Sequence, residues 1–87
     1  MSAIDLHKKV EAIRAREDLA EFIECLREDL IKNPSDWENV ELSSFLEAMA
    51  AWVRDMDGFY HNLNKPVPEK PTWRIFGFIL LAARTYE

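Results

Sequence analysis

The sequence predicts a small all-α domain of four helices, and three observations carry that prediction. Apolar residues recur at intervals of three and four through most of the chain, the spacing that gathers them on one face of a helix. Two glycines and four prolines in 87 residues leave little loop material. A chain this short buries a marginal core, and such domains rely on disulfides, metals, self-association or close helix packing. One cysteine excludes an internal disulfide, and no Cys/His set has zinc spacing. Helix packing, with or without self-association, is what remains.

The expected architecture is a single helical domain over residues 1–87. Helices 2–4 form a three-helix core (16–87), and a short N-terminal helix (1–15) packs outside it. A three-helix core with a mobile first segment is the alternative. In helix 1, Ile4, Leu6, Val10 and Ile13 sit among charged residues, with Ser2 as the candidate cap. In helix 2, Leu19, Phe22, Ile23, Leu26 and Leu30 form a helical stripe. Glu17, Asp18 and Glu21 suit its electropositive start, and Asn33 and Pro34 stop it. No Ser, Thr, Asp or Asn directly precedes Glu17, so helices 1 and 2 are expected to join through a kink at Arg14 to Arg16.

Helix 3 follows "NPSDWENVEL", with Asn39 as its candidate cap. Its stripe runs Leu42, Phe45, Leu46, Met49, Trp52, Val53 and Met56, and Phe59, Tyr60 and Leu63 carry it past Gly58. "NKPVPEK" reads as a proline-stiffened loop, and Thr72 is the expected cap of helix 4. In helix 4 only Arg74 is charged between Trp73 and Ala83. A helical wheel places Trp73, Phe76, Leu80 and Ala83 on the core stripe, widened by Ile75, Ile79, Ala82 and Tyr86. Arg74, Phe78, Leu81 and Thr85 share the remaining face with Gly77, and the arginine marks that face as outward. Phe78 and Leu81 then need cover from helix 1 or from another chain. Helix 1 is preferred, because its own apolar residues need a partner.

The net charge of −5 is unevenly spread. Residues 17–60 hold twelve acids against Arg27, Lys32 and Arg54, while both flanking segments are net basic. An acidic protein is a poor direct binder of nucleic acid, whose phosphates attract basic surfaces. The acidic middle is either a solvated face or a surface that steers a basic protein partner. The N-terminus lacks the apolar stretch of a signal peptide, and the apolar run near the C-terminus, about 11 residues, falls short of the ~20 needed to span a bilayer. A cytoplasmic location without membrane attachment is therefore expected.

Chemical motifs give nothing positive. "DMDG" at Asp55 to Gly58 resembles the opening of a calcium loop, but that loop needs Gly at position six and Glu at position twelve. Here Gly is fourth and the twelfth residue is Pro66. His7 and His61 lack partners at catalytic spacing, and the acids around Cys25 oppose a reactive thiolate. No glycine-rich phosphate loop, GxSxG or HExxH occurs. The expectation is a non-enzyme with no cofactor, no metal and no catalytic residues.

Three stretches carry a resemblance: "REDLAEFIECLREDL", "DWENVELSSFLEAMAAWVRDMDGFY" and "PVPEKPTWRIFGFILLAARTYE". They resemble a family of small bacterial proteins known only as a domain of unknown function, over about four-fifths of the chain. The family pattern has a Trp-Glu-Asn loop, an Ala-Trp helix ending in Asp-Met-Asp-Gly-Tyr-Tyr, a Pro-x-Pro loop and a Trp-containing last helix ending in Tyr-Glu. Trp37, Glu38, Asn39, Trp52, Asp55, Asp57, Gly58, Tyr60, Pro66, Pro68, Trp73 and Tyr86 match it. Phe59 replaces a tyrosine, Phe78 a polar residue and Arg16 a capping serine. The resemblance implies a self-contained helical unit of bacteria and their mobile elements, and it transfers no activity.

The function expected from these features is an acidic protein-binding module that neutralises or modulates a partner, in the manner of immunity proteins or phage inhibitors. A structural subunit, homo-oligomeric through the last helix, is the alternative. A ligand or metal binder at Asp55 to His61 comes third. The candidate partner-binding residues are Trp37, Glu38, Asp55, Asp57, Phe59, Tyr60, His61, Phe78 and Leu81. Trp37 is either a lid over the bundle end or an exposed anchor.

Overall fold

Four helices form where the apolar spacing places them. The computed structural model describes residues 5–87; Ser2 and Ile4 lie outside that range. Helix α1 spans Leu6–Glu11, α2 Arg16–Lys32, α3 Leu42–Asn62 and α4 Trp73–Ala83, with a 3-10 turn at Pro34–Asp36. Among the described residues there is no strand. Helix α4 is central and packs on α1, α2 and α3, while α1 also packs on α2. Among the described residues no Cα of α2 comes within 8 Å of one in α3, although Phe45 of α3 packs on the core cluster that α2 shares.

The helix ends show how local chemistry sets the boundaries. Asp5 caps α1 by accepting the Lys8 N–H at 3.2 Å. Helix α2 has an alanine at its cap position, so its orphan N–H groups need another acceptor. Asp18, in the first turn, reaches back and accepts the N–H groups of Arg14 at 2.9 Å and Ala15 at 3.1 Å. This is half of a capping box, and it fixes the break between α1 and α2 where the sequence implied a kink. Thr72 caps α4 as expected, accepting from Ile75 N–H at 3.1 Å. Helix α3 closes on Asn64, which takes the left-handed conformation (φ 55°) that asparagine tolerates.

Those two backbone donors, Arg14 first and then Ala15, hold the Asp18 carboxyl below its ordinary value of 3.8. A depressed folded-state value means that the cap's contribution is complete above about pH 3.8 and is lost as pH falls through the lower folded value. Asp18→Asn is therefore expected to be less stable than the parent near neutrality. Urea denaturation as a function of pH should show that gap closing in acid below about pH 3.8.

The hydrophobic core extends further than helices 2–4. Val10 and Ile13 are essentially inaccessible, and they join Leu6, Phe22, Leu26, Trp37 and Leu81 in one cluster. The four-helix, all-α reading holds, but the first helix is part of the core and not an outer layer. The reason is Gly77. A β-carbon there would lie 2.5 Å from Ile13 Cδ1 and 2.9 Å from Val10 Cγ2, so only a glycine lets α1 settle this closely on α4.

This contact also turns α4 part of the way from its expected orientation: Ala83 and Leu80 of the expected core stripe pack inward, and Trp73 and Phe76 do not. Gly77, Leu81 and Ala83 are buried, Arg74 and Phe78 are half-buried, and Trp73 and Phe76 are exposed. Arg74 does not mark an outward face: it is half-buried, and its Nε–H donates to the Ile13 carbonyl at 3.2 Å. Cover for Phe78 and Leu81 thus comes from α1. Gly58 contrasts with Gly77: nothing approaches within 4 Å, and α3 runs through it without needing the space.

Candidate functional site

The Trp-Glu-Asn segment has a structural task. Trp37 is buried, stacked on Phe45 with ring centroids 5.9 Å apart, and its indole N–H donates to Asp29 at 2.7 Å. The Arg84 guanidinium lies 5.7 Å from the Trp37 ring centre and 3.5 Å from the same Asp29 oxygen. The next two residues close the end of α4. Backbone N–H groups of Glu38 and Asn39 both donate to the Arg84 carbonyl at 3.0 Å. The Asn39 side-chain amide donates to the carbonyls of Ala83 and Tyr86, each at 3.0 Å. Terminal helix carbonyls lack partners of their own, and this loop supplies them. Asn39 therefore caps the C-terminus of α4 and not the start of α3, whose cap position is Glu41. Trp37 is the lid over this bundle end, and burial removes it as an exposed anchor.

Of the other residues singled out from the sequence, Phe59, Tyr60 and Phe78 line one cleft, and the rest do not join them. Leu81 is buried under α1, and Phe78, half-buried beside it, keeps part of its side chain on a cleft of the α1 side. Glu38 is exposed at the α4 cap. Asp55 accepts a hydrogen bond from the Tyr86 hydroxyl, tying the last residues to α3, and this bond raises the Tyr86 pKa. Asp57 and His61 are exposed near the end of α3, around a shallow hollow shared with Lys65 and Pro66. Phe59 is exposed and meets the half-buried Tyr60 edge to face at 5.2 Å. Burial raises the Tyr60 pKa. No group of three His, Cys, Asp or Glu side chains gathers as a metal site among the described residues.

A predominantly apolar hollow lies between α2 and α3. It has a volume of about 330 Å³ and is walled by Ile23, Leu26 and Leu30 on one side and by Val40, Leu42 and Phe45 on the other, with Leu80 lining it from α4. Trp73 and Phe76 lie two turns and one turn before Leu80 on the same face of α4, so they extend this apolar face along the helix. Each is 46% exposed, as is Ile23, and Leu42 and Leu46 are more open still. Single exposed apolar side chains are ordinary, whereas a contiguous set marks an interaction surface. Polar groups are few in the hollow itself, with Arg27, Asn39 and Glu41 at its edge.

The surrounding electrostatics are acidic. Helix α2 carries six acids against three bases, the connection 33–41 three acids and no base, and α3 three acids against Arg54. The charged groups lining the slot itself are Arg27 and Glu41, one of each sign. The sequence showed each apolar residue of this slot except Val40, in the role of core for all but Trp37, which it gave as a lid or an anchor. No local signal distinguishes a stripe that is covered from one that faces a gap.

No helix among the described residues is long and apolar enough to cross a membrane. No curated protein and no solved structure matches the chain. A family of unknown function (DUF7660) matches residues 15–87, the region that holds the α4-capping loop, the open slot and all three long helices, and the chain belongs to that family.

Proposed function

We propose that this protein is an acidic protein-binding module whose α2–α3 slot receives an amphipathic, basic helical segment of a partner protein, neutralising or modulating that partner in the cytoplasm. The observation that carries the reading is the uncovered apolar face of α4, flanked by α2 and α3, which do not close over it. A helix laid in such a groove buries its apolar face while its basic residues meet the surrounding carboxylates. The charge also argues against a second copy as occupant, because two chains of net charge −5 repel.

The test uses fluorescence anisotropy with two synthetic helical peptides, one of leucine and lysine and one of leucine and glutamate. The Leu/Lys peptide is expected to bind, more weakly as salt is added, and the Leu/Glu peptide is not. Ile23→Asp and Leu42→Asp alter exposed side chains, so they should weaken binding tenfold or more (~1.4 kcal/mol or more) without lowering the melting temperature. Equal binding of the two peptides would reject the reading. So would a dimer in light scattering that either variant dissolves, which would assign the slot to a second copy.

A further inference from the structure

A second concavity lies on the α1 side of α4, distinct from the slot in its residues and its charge. It has a volume of about 580 Å³ and is formed by α1, the last turns of α3, Lys65 and the start of α4. Phe59, Leu63, Ile75 and Phe78 supply apolar lining, and His7, Glu11, Tyr60, Lys65 and Arg74 supply polar groups. The size falls within the roughly 300–1,000 Å³ of small-molecule sites, which combine an apolar lining with a few converging polar groups.

Arg74 is the informative member. It is half-buried, and its Nε–H is committed to the Ile13 carbonyl. Among the described residues it makes no ion pair and no further side-chain hydrogen bond, although the chain holds 16 acids against 11 bases. A partly desolvated guanidinium gains from an anion, and its planar fork suits a carboxylate. Neither Lys65 nor the Tyr60 hydroxyl has a hydrogen-bond or ion-pair partner through its side chain among the described residues. Lys65 and Arg74 against Glu11 leave a formal charge of +1 among the Lys, Arg and Glu side chains of the lining, which matches a monoanion.

We infer that this cleft binds a small aromatic monocarboxylate, with the carboxylate on Arg74 and Lys65 and the ring against Phe59, Tyr60 and Phe78. The site does not depend on the proposed slot: it shares no lining residue with it.

The experiment is an amide-resolved NMR titration of the full chain with phenylacetate, phenylacetamide and inorganic phosphate. Phenylacetate should give saturable shifts in residues 59–65 and 72–78. Phenylacetamide keeps the ring without the charge and should bind about tenfold more weakly or worse, the range for losing a charge-assisted hydrogen bond. Lys65→Gln and Arg74→Gln should each weaken phenylacetate by a similar factor, while Ile23→Asp in the slot leaves it unchanged. Lys65 is exposed, so its variant tests the site even where Arg74→Gln disturbs the seat of α1. The assignment is overturned by equal affinity for the amide, by phosphate binding as well as phenylacetate, by shifts centred on the slot, or by no saturation up to roughly 20 mM.

Discussion

Trp37→Ala is expected to destabilise the protein by about 3–5 kcal/mol, the range for removing a large buried aromatic side chain. A chain of this length has a total stability of roughly 4–13 kcal/mol, at 0.05–0.15 kcal/mol per residue, so the variant approaches the unfolding threshold. Three losses coincide: the Phe45 stack, the Arg84 contact with the ring, and the indole donor to Asp29. The last leaves a half-buried carboxylate with Arg84 at 3.5 Å and the Asn33 amide at 3.2 Å. Trp37→Phe separates these contributions. It retains most of the stacking and loses the donor, and should cost about 1–3 kcal/mol. Urea denaturation followed by far-UV circular dichroism measures both. A cost below about 1 kcal/mol for the alanine variant would mean that the ring is free in solution and available as an anchor.

Gly77→Val should be comparably damaging through a different route. The first added carbon already meets Ile13 and Val10 at 2.5 and 2.9 Å, and valine brings two more. Overpacking of this kind costs about 1–3 kcal/mol where neighbours can shift. Val10 is a stiff β-branched residue held between helices, so its room to shift is small. The other outcome is that α1 lifts away, exposing Leu6, Val10 and Ile13, each of which contributes about 1.5–3 kcal/mol when fully buried. Either way the loss should reach about 3 kcal/mol or more. Hydrogen exchange distinguishes the two, because only detachment speeds exchange across Leu6–Glu11. Gly58→Ala is the matched control. Open space surrounds Gly58, so the substitution should stabilise α3 by up to about 1 kcal/mol through helix propensity alone. A neutral Gly77→Val would show that α1 does not rest on α4 as described.

Much of the fold was legible because helices are local objects. The stop at Asn33 and Pro34, the run of α3 through Gly58, and the Thr72 cap all depend on residues within four positions of each other. The functional surface was less legible. Of the nine residues proposed as partner contacts, Trp37 and Leu81 are buried, and the others are divided among the α4 cap, the end of α3 and the α1 side of α4. Apart from Trp37 and Val40, the apolar lining of the slot comes from residues that looked like core.

Asn39 shows the same division within one residue. Its capping chemistry was readable, and its helix was not, since the carbonyls it satisfies lie 44 and 47 positions away. By itself the sequence determined the number of helices, the stop of α2, the cap of α4, the acidic middle and the near-continuous apolarity of α4, because these follow from short-range spacing and composition. Only the tertiary structure decided which face of α4 is covered. The absence of a side chain at Gly77 lets α1 seat on the Arg74–Leu81 side, and α2 and α3 do not close over the Trp73–Phe76–Leu80 side, a matter of packing distance that no residue pattern encodes.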